Sequence, residues 1–167
     1  MGRSILRYGQ IALGIALALL GICAAPAQAE TTYTYVGKRF GYIGTGSDVT
    51  NVSGTFTIAT PLPANATTVL KPASAGGAVT RYRFTDGRTV WDQNNYVADS
   101  ANQFSITTDA TGKIVGWYLN IESGLGWITT CTKPCIDGRD FDNISVTANY
   151  NAFVFNAPGA WSQSQAG

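Results

Sequence analysis

Residues 79–92 read Val79-Thr80-Arg81-Tyr82-Arg83-Phe84-Thr85-Asp86-Gly87-Arg88-Thr89-Val90-Trp91-Asp92. Tyr82 and Phe84 alternate with Arg81 and Arg83, so an extended strand here has one apolar and one charged face. Asp86-Gly87 follows, the dipeptide that two-residue type I′ turns favour. The stretch reads as a β-hairpin in which 79–85 turns at 86–87 into 88–92, with Tyr82 and Phe84 facing inward.

The same two-residue period runs outward from this hairpin. Residues 31–36 alternate Thr with Tyr and Val. In 52–58, Val52, Gly54, Phe56 and Ile58 share one side, and Ser53, Thr55 and Thr57 the other. Pro61 and Pro63 close that strand, because proline cannot donate to the ladder. Residues 64–78 are small and read as a flexible segment with a mobile loop at Gly76-Gly77. A second hairpin joins 103–108 to 113–121 across Asp109-Ala110-Thr111-Gly112, where Gly112 suits the left-handed position of a bulged turn.

In the second strand of that hairpin, Val115, Trp117, Leu119 and Ile121 line one face and Ile114 and Tyr118 the other. That pattern predicts cover on both sides. Further on, Ile144, Val146, Ala148 and Tyr150 share a face, while Phe153 and Phe155 fall out of phase. A bulge near Asn151 accounts for the slip. The polar tail, 162–167, is expected to fray. No helical periodicity and no fixed repeat is present in 30–167. Roughly seven to ten short strands predict an all-β fold, an antiparallel β-sandwich with a β-barrel as the alternative.

The amino terminus has a different character. Arg3 and Arg7 precede an apolar run over residues 11–25, and Ala27-Gln28-Ala29 supplies a small-x-small cleavage site before Glu30. This is the pattern of a secretory signal peptide, here a helix over 1–29. The 15 residues of the run fall short of the roughly 20 that span a bilayer. Cys23 follows Ile22, where lipoprotein attachment needs a small residue. The expected organisation is a signal peptide over 1–29, one β-rich domain over 30–161 and the tail 162–167. The expected location is secreted or periplasmic, with no membrane anchor after cleavage near Ala29.

Cleavage changes the arithmetic. Removing 29 of 167 residues leaves 138, and removing Arg3 and Arg7 leaves nine Lys/Arg against ten Asp/Glu, a net charge of −1. No basic patch opposes phosphates, so nucleic acid is not an expected partner. Loss of Cys23 leaves Cys131 and Cys135, which in an oxidising compartment read as a disulfide closing a short loop. A redox-active pair usually reads Cys-x-x-Cys at the start of a helix. Here three residues intervene and the flanks are strand-like.

Several of these segments carry a resemblance. Tyr35-Val36-Gly37 with Phe40 is followed by 52–58 with Pro61-Leu62 and Asn65. Tyr82-Arg83-Phe84-Thr85-Asp86-Gly87 comes next, then Phe104, Thr108-Asp109, Gly112-Lys113-Ile114 and Trp117. Their order over about 33–120 resembles small secreted bacterial proteins of uncharacterised function, many of which carry a PEP-CTERM sorting tail. The resemblance implies an exported β domain and brings no catalytic residues. After Phe155 there is no Pro-Glu-Pro motif, apolar helix or basic terminus, so it does not imply envelope anchoring.

The chain contains no histidine. That removes Ser-His-Asp and Cys-His catalysis and the commonest zinc and copper ligands. Carboxylates remain: Asp92, Asp99, Glu122, Asp140 and Asp142 are candidates for a two-carboxylate glycosidase, Glu122 alone lying outside turn-like sequence. Asp137, Asp140 and Asp142, with Asn143, are hard oxygen ligands within seven residues and form a candidate Ca²⁺ loop, without the spacing of an EF-hand. Trp91 and Trp127 are the tryptophans expected at the surface, where amphipathic rings bury the apolar faces of sugars. The leading expectation is a non-catalytic exported domain with a binding or structural role in the envelope or outside the cell. Its partner would be a glycan or another envelope protein. A carbohydrate-binding module is the first alternative and a histidine-free glycosidase the second.

Overall fold

The computed structural model describes residues 29–44, 48–95, 103–132, 135, 139–146 and 149–165. Of the expected signal peptide over 1–29, residues 1–28 lie outside the described residues. Twelve strands are present among them: β1 (Thr31–Val36), β2 (Tyr42–Ile43), β3 (Ser53–Ile58), β4 (Thr67–Leu70), β5 (Val79–Thr85), β6 (Val90–Asp92), β7 (Gln103–Thr108), β8 (Ile114–Ser123), β9 (Gly126–Thr132), β10 (Phe141–Val146), β11 (Tyr150–Phe155) and β12 (Ala160–Gln165).

They form two antiparallel sheets. The five-stranded sheet runs β12-β1-β3-β5-β6 and the seven-stranded sheet β2-β11-β10-β9-β8-β7-β4. The sheets pack together without closing into a barrel, so the fold is the β-sandwich and not the barrel alternative.

Strand alternation decides what fills the gap between them. Tyr33 and Tyr35 of β1, Phe56 of β3, Tyr82 and Phe84 of β5 and Trp91 of β6 enter from one side. Phe104 and Ile106 of β7, Trp117, Leu119 and Ile121 of β8, Ile128 of β9 and Ile144 of β10 meet them. Phe56 and Phe104 sit edge to face, 5.8 Å between centroids. Gly54 has no side chain because the Phe84 ring of the neighbouring strand lies where a Cβ would be.

Several local expectations change. The first hairpin does not turn in two residues. Thr85 pairs with Val90, leaving a four-residue loop, 86–89. Asp86 is buried there and its Oδ1 accepts the N–H groups of Arg88 and Thr89, at 2.8 and 2.6 Å. Gly87 takes a φ of 97°, as glycine readily does. The aspartate side chain, rather than a type I′ backbone, organises the turn.

Segment 64–78 is not a plain flexible loop, since it contains β4 and a 3₁₀ turn over Ala73–Ala75. The apparent late strand with a bulge near Asn151 is a hairpin. β10 and β11 pair from Phe141–Phe155 to Val146–Tyr150, and the reversal between them resets the phase. Phe153 and Phe155 therefore face out by rule and not by irregularity.

β8 is not covered on both sides, for Val115 is 53% exposed. The register slips between Thr107 and Thr108, after the left-handed Gly112 (φ 80°). That slip separates Ile114 from the alternation of the rest of the strand. Residues 162–165 are not a frayed tail either. They belong to β12 and pair with β1 through Thr31–Gln165.

Candidate functional site

The outer face of the seven-stranded sheet carries the most unusual surface. Register places Phe141 opposite both Cys131 and Phe155, Asn143 opposite Thr129 and Phe153, and Ser145 opposite Trp127 and Asn151. Tyr42 stands opposite Phe153. Directly opposed residues share a face. The result is a continuous row of four rings. Tyr42 stacks on Phe153 with centroids 4.8 Å apart, Phe153 lies 5.0 Å from Phe155, and Phe155 lies 6.4 Å from Phe141. Tyr42 is 48% and Phe155 37% exposed. The Arg139 guanidinium sits 4.6 Å from the centre of the Phe155 ring.

Trp127, half-buried, stands on the same face one row away. Two strand spacings and one two-residue step separate it from Phe153, roughly 12 Å between Cα atoms. Asn143, Ser145 and Asn151 fill the ground between. Beside them Thr129 donates to Asn120 Oδ1 at 2.8 Å. Rings at two ends with amides and hydroxyls between them are amphipathic in the way a sugar is.

Of the two tryptophans expected at the surface, only Trp127 reaches it. Trp91 is fully buried and its Nε1 donates to the Gly126 carbonyl at 3.2 Å, across to the turn between β8 and β9. The neighbouring Asn94-Asn95 loop suggested exposure. The alternation of β6 overrides it, because Trp91 pairs with inward-facing Phe84.

The Asp137–Asp140–Asp142 loop also changes. Asp137 lies outside the described residues. Asp140 accepts from Thr132 Oγ1 at 2.7 Å. Asp142 falls on the inward face of β10 with Ile144 and Val146, 1% exposed. No group of three or more His, Cys, Asp or Glu side chains is placed to hold a metal ion among the described residues. Cys131 and Cys135 form their disulfide, both largely buried beside the ring row.

The carboxylates are dispersed. Glu122 is exposed on the outer face of the seven-stranded sheet, opposite Trp127, whereas Asp142 points inward. Asp92 belongs to the other sheet, paired with Arg83. These three do not flank a common bond. Asp99 lies outside the described residues.

Asp142 was not expected where it is found. Its Oδ1 accepts the Tyr35 hydroxyl at 2.7 Å, while Oδ2 has no hydrogen-bond partner and packs against Gly37. Burial pushes the carboxyl up to about 6, against the opposing influence of the Thr130 and Tyr35 hydroxyls. The same burial, with the adjacent carboxylate, raises Tyr35 far above its ordinary value. A second pair mirrors it: Tyr150 donates to Asp86 Oδ2 at 2.6 Å, and burial first of all pushes Tyr150 up to about 12. Each pair ties one sheet to the other. All four side chains are buried, away from the outer face of the seven-stranded sheet.

No family model, curated protein or solved structure matches this chain.

Proposed function

We propose that this chain is an exported, non-catalytic binding domain that holds a neutral glycan on the outer face of its seven-stranded sheet. The observation that carries the reading is the ring row Tyr42–Phe153–Phe155–Phe141 on a regular sheet face, with Tyr42 and Phe155 exposed and Phe153 and Phe141 half-buried. Exposed apolar surface of this kind, rimmed by polar side chains, marks an interaction site. The intervening Asn143, Ser145 and Asn151 supply paired donors and acceptors without net charge. Export rests on the amino-terminal pattern of Arg3, Arg7, the apolar run and Ala27-Gln28-Ala29.

The test is affinity electrophoresis through gels containing a panel of soluble polysaccharides, run on the wild type and on Tyr42→Ala and Trp127→Ala variants. Retardation by at least one neutral polysaccharide, weakened in both variants, supports the reading. Unchanged mobility of the wild type across the panel overturns it. Binding that survives both substitutions removes it from this face.

A further inference from the structure

Four strands end the two sheets among the described residues: β2 and β4 in one, β6 and β12 in the other. Unpaired N–H and C=O groups on an edge recruit further strands, so folded proteins blunt their edges with short strands, charges, proline or bulges. Three edges here are short, with two residues in β2, four in β4 and three in β6. β12 differs. It has six residues, Ala160-Trp161-Ser162-Gln163-Ser164-Gln165, with no charge and no proline. It follows β1 residue for residue from Val36–Ala160 to Thr31–Gln165 without a bulge.

A second observation lies beside this edge. The Trp161 ring packs against Tyr35, Phe56 and Trp117 at 5.0, 5.4 and 6.1 Å. Its Nε1 is buried and has no hydrogen-bond partner. A cleft of about 270 Å³ opens between β12 and the start of β8, with Trp161, Tyr33, Lys113, Ile114 and Gln163 among its walls.

We propose that β12 pairs antiparallel with β12 of a second copy of this chain, about a two-fold axis at Ser162, joining two five-stranded sheets into one. Opposed residues in an antiparallel pair share a face, so a two-fold axis must pass through a residue position and not between two. With the axis at Ser162, Trp161 of each copy stands opposite Gln163 of the other. Cross-strand Cβ atoms lie about 5 Å apart, which brings the Gln163 amide of one copy to the cleft that Trp161 of the other lines. A second copy fits better than a foreign strand. The edge carries no charge with which to select another sequence, and two uncharged copies meet without repulsion. The glycan surface belongs to the other sheet and stays open in the pair.

Sedimentation velocity on the purified chain, from micromolar to millimolar concentration, tests this. The expected result is a concentration-dependent shift from one copy to two. Ser162→Lys, which sets two ammonium groups opposite each other, should weaken the pairing by about tenfold. Ser162→Cys should form an intermolecular disulfide under oxidising conditions and Ser164→Cys should not, since only position 162 meets itself across the axis. A one-copy mass at every concentration overturns the proposal. So does a pair that Ser162→Lys leaves unchanged, or a cross-link at 164 in place of 162. Glycan binding with a one-copy mass would separate failure here from failure of the proposed function.

Discussion

The Tyr35 hydroxyl donates to Asp142 Oδ1 at 2.7 Å, linking β1 of one sheet to β10 of the other through the middle of the sandwich. Gly159 N–H donates to the same hydroxyl at 3.2 Å, so the link extends to the approach to β12. One buried polar group thus joins both sheets and the last strand. The second carboxylate oxygen of Asp142 is left without a hydrogen-bond partner.

Asp142 has its carboxyl raised from 3.8 to about 6 on folding. Between these values the folded state binds the extra proton, so stability falls as pH rises through that window and then levels. The contribution is fully present below the unfolded value and lost above the folded one. The size of the change is about 3 kcal/mol. Asp142→Asn keeps the acceptor for Tyr35 and removes the charge. It should be more stable than the wild type at about pH 8, the gap closing by about that amount at about pH 4. Urea unfolding of both proteins at the two pH values checks this; an equal gap at both would show that Asp142 is not desolvated as described.

Tyr35→Phe removes the hydroxyl that donates to Asp142 Oδ1. A buried group stripped of its partner costs about 1–3 kcal/mol, and Tyr150→Phe should cost a similar amount by orphaning Asp86 Oδ2. Both losses should appear in the unfolding midpoint, with glycan retardation unaffected in the folded variants. A variant that loses retardation while keeping its midpoint would assign the tyrosine to the ligand instead.

Trp91 and Trp127 should separate cleanly. Trp91→Ala empties a fully buried site and should cost about 3–5 kcal/mol. Trp127→Ala, on the outer face, should shift the melting midpoint little and weaken polysaccharide retardation. The two effects exchanged would invert the assignment of faces.

Much of the fold was legible because alternation is a strong local signal. Tyr82 and Phe84 lie inward where their period places them, and Val52, Phe56 and Ile58 share one buried side. What alternation cannot encode is the partner across a chain reversal. Phe153 and Phe155 looked like a strand out of phase until the β10–β11 hairpin set them beside Tyr42, more than a hundred residues earlier. Asp142 looked like a loop ligand because Asp and Gly surround it. Its parity with Ile144 and Val146 was the available clue to burial. Trp91 misled through its neighbours, since an Asn-rich loop next door says little about a side chain opposite Phe84.

The Cys131–Cys135 bridge spans a sequence separation of four. A loop that short restricts the unfolded chain little, about 2 kcal/mol. Replacing both cysteines with serine should lower stability by no more than about that and leave a cooperative unfolding transition. Loss of cooperative unfolding would mean that the bridge holds the β9–β10 region together by itself.

The proposed sugar site is the ring row from Tyr42 to Phe141. Titrating the wild-type chain with the polysaccharide that retards it most, while recording amide and aromatic NMR shifts, maps where the sugar sits. Shifts should concentrate at Tyr42, Phe153, Phe155, Asn143 and Trp127, with Trp91 and Asp142 unmoved. Shifts confined to the Trp161 cleft or to the outer face of the five-stranded sheet would contradict that placement.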